Sequence, residues 1–110
     1  MQVAMMDRRI MDMSCTLWRK DGEADRTARW ETVTFPCHWE QRRGSYRGTN
    51  GQESEWRVDI ICPYGDARAG DKVALGTFSS AEPPADAYTV IWSDMLPLRG
   101  KVHHYEVYAG

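Results

Sequence analysis

Apolar and polar residues alternate with a period of two through much of this chain, most clearly at residues 56–62. Within that segment (WRVDIIC), one face carries Trp56, Val58, Ile60 and Cys62. The other face carries Arg57 and Asp59. Successive side chains of a strand point to opposite sides of a sheet, so the pattern predicts a strand with one buried face.

Other segments rich in β-branched and aromatic residues are separated by Gly, Pro and Asp, which is typical of short strands joined by turns. The predicted strands are residues 14–20, 28–35, 37–41, 56–62, 72–78, 88–93 and 101–108. Pro36 is expected to bound or bend the strand before it, because proline cannot donate to a ladder. Six or seven such strands predict a mainly β domain, either a small antiparallel barrel or an open sandwich. The barrel is favoured because closure removes exposed edges.

Two segments stand outside this strand pattern. Residues 1–13 predict a tail or a weak N-terminal helix, which leaves 14–110 as a single β-domain. Residues 42–55 (RRGSYRGTNGQESE) contain three glycines and almost no aliphatic residues, and they predict a long loop between two strands. Either this loop is solvated, or it orders against a neighbouring subunit or an anionic partner. Its candidate interaction residues are Arg42, Arg43, Tyr46 and Arg47.

The composition narrows the functional classes. A chain of 110 residues with five Trp and five Tyr can build one thin, aromatic-rich core. Its net charge of -2 argues against a protein that coats nucleic acid. No apolar run is long enough for a membrane helix, and charges interrupt residues 1–13, so we expect neither a membrane partner nor a signal peptide. Three cysteines without a CxxC motif are expected to be reduced thiols in a cytoplasm.

Candidate chemistry is sparse. Cys37-His38, Cys62 and His103-His104 carry zinc-type ligands, but adjacent residues on a strand face opposite ways, so neither pair can readily bind one ion. A Cys–His nucleophile pair would lack a sharp turn to present it. The carboxylates are assigned to turns and exposed strand faces, and they are Asp59, Asp66, Asp71 and Asp94. We therefore expect no enzyme, no catalytic residue, no metal and no cofactor.

Several short motifs occur in an order that resembles a known family. The motifs are Thr16-Leu17-Trp18, Trp30-x-x-Val33, Trp39, Gly70-Asp71-Lys72-Val73-Ala74-Leu75-Gly76 and His104-Tyr105-Glu106-Val107 followed by Gly110. Over about residues 14–110 they are similar to the small head–tail joining proteins of tailed phages and prophages, particularly those of Gram-positive bacteria. Tyr105 stands where that family more often has Trp.

The resemblance implies a compact β-barrel of the neck, without catalysis or cofactor. It implies portal-side (adaptor-side) and tail-side phage proteins as partners and a homo-oligomeric ring. The ring would then contact DNA only as the DNA passes through it, or weakly through a loop. It also implies assembly in the bacterial host cytoplasm and a final place in the virion.

Two other functions stay open on the sequence alone. The first is a stand-alone bacterial β-domain that binds a protein or a small ligand in a pocket lined by Trp39, Trp92, His103 and His104. The second, a more distant one, is a small enzyme that uses cysteine and histidine.

Overall fold

Six antiparallel strands form the regular structure of the computed structural model, which describes residues 11–21, 29–47, 51–96 and 104–110. They are β1 (Met13–Asp21), β2 (Arg29–Arg47), β3 (Glu53–Cys62), β4 (Lys72–Leu75), β5 (Tyr88–Leu96) and β6 (His104–Ala109). The mainly β fold expected from the alternating pattern is confirmed.

The sheet closes on itself. Its strand order is β1-β2-β3-β6-β5-β4, and β4 returns to pair with β1 from Cys15↔Leu75 to Trp18↔Lys72. Closure gives each strand a neighbour on both sides over at least part of its length, which satisfies backbone groups that an open sandwich would leave at its edges. The architecture is therefore the barrel that the sequence favoured.

Inward side chains of all six strands fill the barrel. Val58, Ile60 and Cys62 of β3 are fully buried, as their alternation predicts, and they meet Val107 and the other inward residues of the core cluster. Trp56 is half-buried and is not in that cluster.

Two carboxylates that the sequence assigns to turns and exposed strand faces are in fact buried. Asp59 is 3% exposed although it points away from the core, and Asp71 is 5% exposed. Each carboxylate contacts an arginine, and the pairing allows a charged group to be buried at a tolerable cost.

β2 is a single strand of 19 residues, so Pro36 does not end the strand before it, and that one of the two expected effects is wrong. Residues up to Cys37 pair with β1, and residues from His38 onward pair with β3. Pro36 thus lies where the strand passes from one neighbour to the other. It has no β3 partner, so its missing N–H removes no bond from the β2–β3 ladder.

The predicted long loop at 42–55 is also wrong for most of its length. β2 continues to Arg47 and β3 begins at Glu53, and the two pair from Gly44↔Trp56 to Arg47↔Glu53. Gly44 supports this continuation because a Cβ there would overlap the ring of Trp56. Glycine within such a segment usually indicates a loop, but Gly44 instead makes room for the Trp56 ring on the facing strand.

The remaining boundaries shift by a few residues. β4 is shorter than predicted, and β5 continues to Leu96, beyond its predicted end at residue 93. The described part of β6 is His104–Ala109, and residues 101–103 of the predicted last strand lie outside the described residues. Most of the predicted N-terminal tail or helix, 1–13, lies outside the described residues. Of its last residues, Met11 is buried and Met13 begins β1.

The segment after β4 covers the outer side of β1. The Thr16 hydroxyl donates to the Gly76 carbonyl (2.7 Å) and accepts from the Phe78 N–H (3.2 Å). Trp18 donates its indole N–H to the Ser80 carbonyl (3.2 Å), with the Phe78 ring edge-on at 5.5 Å. These contacts explain why Trp18 is fully buried although it faces away from the core.

An arginine–carboxylate cluster holds the β3–β4 connection against β1. Arg19 donates to both oxygens of Asp71, from Nε (3.1 Å) and Nη2 (2.8 Å), and Nη1 donates to Asp66 (2.8 Å). Asp71 also accepts from the Arg68 N–H (2.9 Å). Gly70, with φ of 99°, donates its N–H to the Val90 carbonyl (2.8 Å) and so pins the same turn to β5.

Asp71→Asn should therefore destabilise the barrel more than Asp66→Asn. The first change leaves Arg19 without its buried bidentate partner and should cost about 3 kcal/mol. The second removes an exposed pair worth less than about 1 kcal/mol. Urea unfolding of both variants provides the measurement, and equal losses would contradict the role given to Asp71.

Candidate functional site

A two-stranded arm extends from the barrel. We define the arm as residues 44–47 of β2 and 53–56 of β3. β1 pairs with β2 only as far as Cys37, and β6 pairs with β3 only from Val58. No third strand in the described part of the chain pairs with the arm. Gly110 lies against the backbone at Glu55 and Trp56, and the outer backbone groups beyond that base are open to another chain.

A row of aromatic rings braces the base of the arm. Trp92 stacks on Tyr108 with ring centroids 4.9 Å apart, and Tyr108 meets Trp56 at 4.7 Å. Trp56 in turn lies against Gly44 on the facing strand. A two-stranded ribbon is marginally stable by itself in water, so this brace helps to hold the arm in one direction.

A β-bulge concentrates arginines between arm and barrel. Gln41 pairs with Val58 and Gly44 pairs with Trp56, so Arg42 and Arg43 together lie opposite Arg57. Bulges place two residues against one and re-aim their side chains. The result is a groove of about 390 Å³ lined by Gln41, Arg42, Arg43, Arg57 and Tyr88.

The predicted interaction residues are therefore distributed along a strand. Arg42 and Arg43 line the groove, and Arg47 is exposed at the far end of the arm opposite Glu53. The side chain of Tyr46 lies outside what the structure describes. Sequence reasoning missed Arg57 and Tyr88, which reach the groove from β3 and β5. In the sequence, Arg57 was only a polar position in an alternating strand, and Tyr88 was only the first residue of another predicted strand.

Asp59 joins this surface to the barrel wall. Its Oδ2 accepts from Nη1 of Arg42 at 3.1 Å, whereas Oδ1 lacks a well-formed hydrogen bond within the described residues. Burial, followed by the neighbouring carboxyl group of Glu106, raises the pKa of Asp59 to about 7, against the opposing pull of Arg42. Burial and Glu106 likewise raise the pKa of Tyr108. The carboxyl group of Asp59 therefore changes charge near neutral pH.

Three of the four residues of the aromatic pocket expected from the sequence lie in the described part of the chain. Trp39 belongs to the core, with its ring 5.8 Å from that of Tyr88, whereas Trp92 lies outside the core against Tyr108. His104 is buried, and burial lowers the pKa of its imidazole. His103 lies outside the described residues. None of these side chains lines any of the three grooves found beside β1 and along the β2–β3 hairpin.

The three cysteines are free, buried thiols. Burial raises the pKa of Cys62 to about 12, and a hydrogen bond with Cys37 together with burial raises that of Cys15. The thiolate is the reactive form of cysteine, so Cys15 and Cys62 are poor nucleophiles at neutral pH.

A second groove, of about 460 Å³, lies beside β1 and β2 near Tyr64 and Arg19. Its single arginine is already bound to Asp66 and Asp71, and the Tyr64 ring is stacked on Phe35 at 4.8 Å. The groups that could bind a ligand here are engaged in holding the fold. The groove that contains Arg42, Arg43 and Arg57, called the arginine groove below, is the better candidate site. Two of its three guanidinium groups have no ion pair within the described residues.

Within the described ranges, no three or more His, Cys, Asp or Glu side chains are placed so that they could hold a metal ion. The same ranges contain no helix of the length and apolarity needed to cross a membrane.

Comparison of the sequence with models of known protein families gave no match, and no curated protein matched it.

Asp59 predicts a pH dependence of stability. Its pKa is about 7 in the folded protein and 3.8 in an unperturbed chain, so between those values the folded state binds more protons than the unfolded state. Stability from this group is therefore complete below pH 3.8 and is lost as the pH rises to about 7. Each unit of pKa difference corresponds to about 1.4 kcal/mol.

Urea unfolding of the Asp59→Asn variant at pH 5 and pH 8 measures this effect. The variant should lose less stability than the unaltered chain between the two pH values. Asp86→Asn, at an exposed position of the β4–β5 connection, provides the control and should leave the pH dependence unchanged. An unaltered pH dependence in Asp59→Asn would show that Asp59 titrates normally.

Proposed function

We propose that this chain is a non-catalytic assembly protein that binds neighbouring protein subunits through its β2–β3 arm. More specifically, we propose a structural component of the head–tail junction of a tailed phage or prophage, between portal-side and tail-side proteins. It would assemble in the bacterial cytoplasm and remain in the virion. The arm is the observation that carries this proposal.

The arm has the physical properties of an assembly element. It presents two open strand edges, and its side chains outside the base are mostly exposed. Main-chain pairing with another chain would complete its hydrogen bonds and order a ribbon that is marginally stable alone. An arm that docks on a different surface of the next copy makes a head-to-tail contact, and repeated contacts of this kind form a ring where the rotation between copies closes.

The motifs behind the phage resemblance have structural roles in this barrel. Trp18 is covered by the segment from Phe78 to Ser80, to which it donates a hydrogen bond. Gly70 and Asp71 form the turn that leads into β4. The closing motif forms β6, and Gly110 exchanges backbone hydrogen bonds with Thr89. These placements agree with a shared barrel plan and support the proposal without identifying a partner.

Shortening the arm tests the proposal. Residues 46–54 are replaced by Asn-Gly, a two-residue turn suited to join the paired positions Ser45 and Glu55. The barrel should keep its thermal midpoint within a few degrees, because no described residue of the replaced segment belongs to the core cluster. Light scattering should show oligomers of the unaltered chain and only monomers of the shortened one.

The control carries Glu82→Gln and Asp86→Asn, two exposed positions on the β4–β5 connection. It should assemble as the unaltered chain does. Assembly of the shortened chain at the same concentration would contradict the role of the arm, and a monomeric unaltered chain would contradict the ring.

A further inference from the structure

We propose that the arginine groove at the base of the arm is a binding site for a phosphoryl group. This inference does not depend on the assembly function. It rests on three guanidinium groups brought to one groove by the β-bulge, with a single carboxylate to neutralise them.

The charge balance of the groove is the first argument. Arg42 is paired with Asp59 at 3.1 Å, whereas Arg43 and Arg57 form no ion pair with any residue that the structure describes. Among the residues that the structure describes, no carboxylate lines the groove. Like charges that face each other across a ladder are unfavourable, so the free protein holds an excess of positive charge here that an anion would relieve.

The local structure fixes the groove before any ligand arrives. Asp59 is buried, and its contact holds the Arg42 guanidinium at the wall. Gln41 donates from Nε2 to the Tyr88 hydroxyl at 3.3 Å, which links β2 to β5 across the groove. The Tyr88 hydroxyl uses an acceptor site in that bond, so its own hydrogen is available for a ligand oxygen.

The arginine chemistry and the surroundings define the ligand class. A planar guanidinium presents paired N–H donors that match the oxygens of a phosphoryl group, and charge-assisted bonds of this kind are strong. The flanking surface is acidic, because Glu40 of β2 pairs with Asp59 of β3 and Glu55 lines the adjoining groove with Arg43. A long polyanion would be repelled there, so the groove favours one compact phosphoryl group, either as free phosphate or as a phosphate ester.

Binding is tested by isothermal titration of the full chain with inorganic phosphate, with adenosine monophosphate and with adenosine, at constant ionic strength. The double variant Arg43→Gln/Arg57→Gln removes the two unpaired guanidinium groups. The matched control Lys20→Gln/Arg29→Gln removes the same charge from exposed positions at the opposite end of the β1–β2 pair.

We expect saturable phosphate binding to the unaltered chain and to the control, weakened at least about tenfold in the groove variant. Tighter binding of the nucleotide than of phosphate, with none of adenosine, would identify a phosphate ester as the ligand. Equal affinity would identify the free anion. Without ligand, the groove variant should unfold at the same temperature as the unaltered chain or at a higher one, because like-charge repulsion is removed.

Absence of saturable binding to the unaltered chain would overturn the proposal. Equal weakening in the groove variant and in the control would also overturn it, because the effect would then come from net charge alone. Nucleotide binding that adenosine reproduces would show recognition of the base and sugar, and the proposal would fail.

Discussion

The barrel closes along a short seam between β1 and β4, and the rest of the structure depends on that seam. Only four residue pairs form it, from Cys15↔Leu75 to Trp18↔Lys72. A seam this short gains stability from contacts around it, and the bidentate Arg19–Asp71 pair lies directly beside it. Closure gives six strands a shared interior, and the alternating residues then become a core.

Closure also explains why part of β2 and β3 is free to act outside the barrel. β2 pairs with β1 through its first half and with β3 through its second, so it is longer than either neighbour requires. The excess forms the arm, and the bulge at Gln41 and Gly44 marks the change from barrel wall to arm. The bulge therefore marks the base of the arm and brings together the arginines of the groove there.

Local patterns in the sequence were sufficient to predict the fold class. Alternation at residues 56–62 identified the buried face of β3, and the spacing of Gly and Pro predicted six or seven strands, where the described residues form six. Pro36 and Gly44 were misread because their effect depends on the partner strand. Pro36 falls where the partner changes, and Gly44 accommodates a tryptophan from β3. The structural effect of both residues depends on which strand lies beside them, and a single sequence does not show this long-range pairing.

The candidate site was predictable only in part for the same reason. Arg42 and Arg43 stood out as adjacent basic residues, but Arg57 joins them through ladder register and Tyr88 through closure of the barrel. Asp59 occupied a polar position that predicted solvent exposure, yet the residues around it on neighbouring strands bury it. Trp39 and Trp92 are both aromatic strand residues, and the sequence does not distinguish them. In the fold, Trp39 packs in the core and Trp92 stacks on Tyr108 outside it.

The measurement that tests the central claim most directly is mass spectrometry of phage particles. Particles induced from the organism that encodes this chain are purified by density gradient, and its peptides are quantified against those of the portal protein. The account predicts peptides at a stoichiometry comparable with that of the portal ring. Their absence from abundant intact particles would contradict the proposal that this barrel belongs to the head–tail junction.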